Sequence, residues 1–178
     1  MTKAIKKYWV IFVIAAVIVA LDQWTKWLVR TNISAGESWL PDSLQWLSPY
    51  ARIVHWYNRG AAFGIFQQGN MVFTVLAFVV IAAIIYYYPQ VSNADWPLRL
   101  AMSMQMGGAL GNLIDRLTIG HVTDFISIGT FPVFNIADSS ISVGCVVLVL
   151  GIWWQERVAK KEKMHAASPD KPNEATSE

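Results

Sequence analysis

Three runs of sequence carry no charge at all: Tyr8 to Leu21, Met71 to Tyr88 and Ile141 to Trp154. Apolar runs of this length cannot lie on the surface of a water-soluble domain, and a helix that crosses a bilayer needs roughly 20 such residues. Lipid also leaves no water for the backbone to bond, so helices and closed barrels are the only spanning forms. With 54% apolar residues and nine tryptophans in 178, the chain reads as one integral membrane domain.

The runs extend into four expected spans. Lys3, Lys6 and Lys7 precede the first, a pattern shared with cleavable export signals. Past Leu21, however, Asp22 and Lys26 can pair at i and i+4 while Trp24, Trp27, Leu28 and Val29 keep the apolar pattern going. A retained span over 8–29 follows, with its charged pair turned to protein or water, or forming a plain interfacial ion pair. The second covers 70–88, ending in three tyrosines and Pro89. The third, 98–115, is apolar apart from Arg99, Ser103, Gln105 and Asn112, and its Gly107, Gly108 and Gly111 are packing positions. The fourth covers 137–155.

Between the first two spans, residues 31–69 form a surface segment rich in tryptophan and tyrosine. Arg52 to Tyr57 reads as a strand, Asn58 to Gly64 as a small-residue turn, and Trp39 to Leu47 as an amphipathic interfacial stretch. Val122 to Ile128 is also extended. The fold class is therefore a mainly α membrane protein: four transmembrane helices with a small extracytoplasmic, β-containing surface domain. Residues 1–155 form this single domain and 156–178, rich in Pro, Ser, Asn and Glu, a disordered tail. An even number of spans with basic clusters at both ends places both termini in the cytoplasm.

The net charge of +2 leaves no nucleic-acid footprint, and Cys145, the single cysteine, lies in an apolar run as a packing residue. His55, His121 and His165 show no metal-ligand spacing. Attention falls instead on Asp124 and Asp138, two carboxylates beside hydrophobic spans, where burying a charge is costly. If they meet over one water they share one proton; one acts as base while the other protonates a carbonyl oxygen. Singly, Asp138 is also explicable as a helix cap and Asp124 as part of a surface turn. A small proton-coupled transporter that uses the carboxylates as a relay is the alternative function.

Five boxes bring a resemblance into view: D-Q-W-T-K at Asp22 to Lys26, N-R-G-A-A-F-G at Asn58 to Gly64, G-N-L-I-D-R at Gly111 to Arg116, V-T-D-F at Val122 to Phe125, and F-N-I-A-D-S at Phe134 to Ser139. Their order is similar to that of the bacterial lipoprotein signal peptidases, or signal peptidases II. The resemblance implies a multi-pass aspartic peptidase of the inner membrane, with its active site toward the outer face. Such an enzyme cleaves diacylglyceryl prolipoproteins before their lipidated cysteine, needs no cofactor or metal, and is blocked by globomycin-type inhibitors. By the same resemblance Asp124 and Asp138 are catalytic, while Asn58, Gly60, Asn112, Arg116 and Asn135 hold substrate or dyad. Asp22 and Lys26 brace the site. Partners are prolipoproteins and membrane lipid, with no nucleic acid, and the enzyme is expected as a monomer.

Overall fold

A computed structural model describes residues 3–60 and 69–166. Its elements are helix α1 (Lys3–Asn32), strands β1 (Ser38–Trp39) and β2 (Ala51–Asn58), helices α2 (Asn70–Tyr87) and α3 (Trp96–Thr118), strand β3 (Val122–Ile128) and helix α4 (Ile136–Ala166). Single 3-10 segments follow β1 at Asp42–Leu47 and α2 at Tyr88–Gln90. The tail beyond 166 and most of the expected small-residue turn, 61–64, lie outside the described residues.

Three of the helical segments are long and apolar enough to cross a membrane: Tyr8–Asn32, Asn70–Gln90 and Ile136–Lys161. The fourth helix, α3, has spanning length at 23 residues but is much more polar. Its polar groups turn inward, since Arg99, Ser103, Asn112 and Asp115 are each no more than 7% exposed. Around it the other helices present valines, leucines and aromatics outward. Polar groups sit inside and apolar groups outside, as a lipid solvent requires.

Glycines set how closely the helices approach. A Cβ on Gly108 would strike the carbonyl of Ala137, one on Gly107 would lie 2.8 Å from Ile18 Cβ, and one on Gly111 would lie 2.7 Å from Asp22 Oδ2. Gly144 and Gly151 of α4 repeat the device against Ala101 and Pro97. Lipid tails give apolar helices no drive to associate, so close backbone packing supplies it. These contacts make α1 parallel to α3 and α4 antiparallel to it. Helix α2 is antiparallel to α3 as well, with Arg116 over the Phe73 ring at one end and Arg99 over the Tyr88 ring at the other.

Helix α3 stops where Gly120 turns the backbone to φ 77°, a conformation glycine adopts without strain. The chain then enters β3, the third strand of an antiparallel sheet ordered β1-β2-β3. A bulge between Ile53 and Trp56 re-aims β2, so that Trp56 stands opposite Asp124 and Asn58 opposite Val122. Strands β2 and β3 cover the two segments expected to be extended. Trp39 to Leu47, in contrast, is not one amphipathic stretch: Pro41 divides it into strand and 3-10 helix, and no residue of that helix is buried. Helix α4 runs on past residue 155 to Ala166, because Gln155 to Ala166 is rich in helix-forming Glu, Lys, Ala and Met.

Candidate active site

The site lies where the C-terminal ends of α1 and α3, the N-terminus of α4 and the sheet converge. Asn135 immediately precedes α4 and serves as its cap: Oδ1 accepts from the Asp138 amide at 2.9 Å, and Asp138 Oδ2 accepts from the Asn135 amide at 3.2 Å. This reciprocal pair satisfies helix donors that would otherwise be orphaned. The capping role foreseen for Asp138 is thus present, and it leaves the other oxygen free for Asn112, whose Nδ2 donates to Asp138 Oδ1 at 2.7 Å.

The Asn135 side chain also reaches the second acid. Its Nδ2 donates to Asp124 Oδ1 at 2.7 Å and to Asn112 Oδ1 at 3.1 Å. From β2, Asn58 Nδ2 donates to Asp124 Oδ2 at 2.8 Å, while Asn58 Oδ1 accepts from the Gly60 amide at 3.0 Å. Asp124 and Asp138 are therefore joined through a single asparagine. Asp124 is 1% exposed. Burial first, and then the negative charge of Asp138, push its carboxyl up from 3.8 to about 7.

Beneath the acids is a buried ion network. Lys26 Nζ lies 2.8 Å from Asp22 Oδ2 and 3.2 Å from Asp115 Oδ2, and donates to Asn112 Oδ1 at 2.9 Å, so all three ammonium hydrogens are used. Arg30 reaches Asp115 Oδ1 at 3.4 Å. Each of the two carboxylates also holds a backbone amide. Asp22 Oδ1 accepts from Ala137, and Asp115 Oδ2 accepts from Thr123, both at 3.0 Å. Ala137 and Thr123 are the residues just before Asp138 and Asp124. Lys26 thereby ties together the supports of both acids.

Asp115, the last residue of the third expected span and given no role in the sequence, is 1% exposed. Its place three residues after Asn112 on one helix was the available signal. Gln23 was also missed; its Nε2 donates to Gly111 O at 3.0 Å and Asp115 Oδ1 at 3.1 Å.

A cavity of about 850 Å³ opens from this cluster and runs between α2, α3 and α4. Asn58, Gly60, Asn112, Arg116 and Asp138 border its polar end, and Leu76, Val80 and Ile141 its apolar walls. Asn112 and Arg116, one helical turn apart on α3, both reach it. Asp22, Lys26, Asn135 and Asp124 do not line it.

The fold and the site define a membrane-embedded enzyme with paired carboxylates at one end of a helical bundle. The family profile described as signal peptidase (SPase) II matches residues 14–154. The chain belongs to that family. It is 40% identical to the lipoprotein signal peptidase of Halalkalibacterium halodurans over 157 residues, covering 85% of this chain and 97% of that protein. To the lipoprotein signal peptidase of Geobacillus thermodenitrificans it is 37% identical, covering 92% and 94%. Two solved bacterial membrane enzymes share the fold. One has a TM-score of 0.71 at 28% identity, with 94% of each chain covered. The other has a TM-score of 0.70 at 31% identity, with 80% and 92% covered. A peptidase is supported, and the transporter reading is set aside.

Proposed function

We propose that the chain cleaves the signal peptide from diacylglyceryl prolipoproteins just before the lipidated cysteine, using Asp124 and Asp138 as an aspartic dyad. The observation that carries this reading is Asn135, whose side chain bonds Asp124 while its backbone and cap bind Asp138. Two carboxylates bridged by one residue, the charge of one raising the other, share one proton. The ionised member takes a proton from water, the water oxygen attacks the scissile carbonyl, and the protonated member donates to the carbonyl oxygen. Collapse of the tetrahedral intermediate passes a proton to the leaving nitrogen, breaks the C–N bond and regenerates the shared proton.

In this reading all four helices span the inner membrane, α3 as the inner one, and residues 1–155 form a single peptidase domain with a cytoplasmic tail after it. Both termini lie in the cytoplasm and the dyad near the outer headgroups, where a lipidated substrate presents its bond. Exposed Trp39, Trp46 and Tyr50 suit that level. The cavity between α2 and α4 receives signal peptide and acyl chains, and globomycin-type inhibitors compete for it. Asn58, Gly60, Asn112 and Arg116 position substrate and acids, Asn135 aligns the dyad, and Asp22 with Lys26 braces it. The enzyme acts as a monomer without metal.

The test uses purified Asp124→Asn and Asp138→Asn proteins incubated with a diacylglyceryl prolipoprotein. Each retains a normal thermal melt and loses cleavage; substantial cleavage by either overturns the dyad. Strong inhibition of the parent enzyme by EDTA would overturn the metal-free mechanism.

A further inference from the structure

A second hollow adjoins the site on the sheet. It measures about 270 Å³ and is lined by Ser38, Arg52, Val54, Trp56, Ser127 and Val133. Two features tie it to the dyad. Val133 lines both this hollow and the main cavity. Trp56, on its rim, lies two residues before Asn58, which holds Asp124 at 2.8 Å. Trp56 itself is the cross-strand neighbour of Asp124.

The two hollows differ in chemistry. The main cavity continues between helices along Leu76, Val80 and Val143, whereas the second sets Arg52, Ser38 and Ser127 beside Trp56 and two valines. Among the described residues Arg52 forms no ion pair, in contrast to Arg30 on Asp115. A prolipoprotein has matching halves: an apolar signal peptide on one side of the scissile bond, and on the other a polar chain that leaves the bilayer.

We infer that the hollow over β2 is a binding subsite for the residues that follow the lipidated cysteine, with Arg52 selecting acidic side chains among them and Trp56 packing on the chain. The inference rests on the peptidase reading above. A peptide lying from the main cavity past Asp138 reaches Val133 and Trp56 directly after the scissile bond, so the polar half meets the more polar of the two hollows.

The full-length enzyme in lipid bicelles is given matched diacylglyceryl prolipoprotein peptides with Glu or Lys at the three positions after the cysteine. The parent favours the Glu peptide in kcat/KM by about threefold or more, the range of a partly exposed ion pair. Arg52→Glu reverses that preference. A photo-reactive phenylalanine at the second position after the cysteine crosslinks the parent enzyme at Trp56 or Ser38, a readout that stands even where the variant folds poorly. Equal cleavage of both peptides by parent and variant, or crosslinks confined to α2 and α4, overturns the inference while leaving the peptidase intact. Failure of the parent to cleave either peptide overturns the peptidase reading instead.

Discussion

Asn135 Nδ2 stands 2.7 Å from Asp124 Oδ1, and the same side chain caps the helix whose first turn carries Asp138. One residue therefore sets both the position of one acid and the first turn beneath the other. Asn135→Ala removes the cap, at about 1 kcal/mol of stability. It also frees the two acids to move apart, and misplacement of reacting groups by about 1 Å costs on the order of a hundredfold in rate. Thermal melts alongside single-turnover cleavage separate the two effects: kcat falls far more than stability does, and a drop in both in proportion would reduce Asn135 to a cap.

The raised Asp124 carboxyl sets a pH dependence. The Asp124 carboxyl is raised from 3.8 to about 7, so the folded chain binds this proton more tightly than the unfolded chain does. The resulting stabilisation is complete below the unfolded value and is lost as pH rises through about 7. The melting temperature falls between pH 5 and pH 8, and Asp124→Asn flattens that part of the profile. In parallel kcat/KM declines above about pH 7, as the dyad loses the proton it shares. A rate that climbs steadily through pH 9 would contradict a shared proton.

Lys26→Met leaves Asp22 and Asp115 buried without their common cation. Breaking such a network by removing one partner costs about 3–5 kcal/mol. Adding Asp22→Asn to Lys26→Met recovers part of the loss, because one fewer buried charge is then unpaired. Denaturation in detergent measures both; strictly additive losses would show that the residues are not coupled.

Gly111→Ala places a Cβ 2.7 Å from Asp22 Oδ2, within a carboxylate that already bonds Lys26 and Ala137. Overpacking at a tight contact costs about 1–3 kcal/mol. The displaced Asp22 also releases the α4 amide, so cleavage drops along with the melting temperature. An unchanged rate would show that the Asp22 contact is dispensable for aligning Asp138.

The helices were legible in the sequence because lipid demands long uncharged runs, and β2 because Arg52 to Tyr57 is dense in β-branched and aromatic residues. The acids were legible because charge beside such runs is rare. Asp115 was not, since a charged residue at the end of an apolar segment looks the same whether it meets water or a buried lysine. Only the approach of α1 along Gly107 and Gly111 decides between those two surroundings, and that approach depends on residues about 90 positions away. The division of Trp39 to Leu47 went unseen for a related reason: the strand at Ser38–Trp39 exists only by pairing with Ile53 and Val54.

Because Asp22 and Asp115 converge on one ammonium, the backbone stations of the two acids hang from a common point on α1. A bundle whose helices lean or straighten as the bilayer thins or thickens carries both stations in the same direction. In the proposed mechanism, the gap left for a water between the acids then changes little with the thickness of the surrounding membrane.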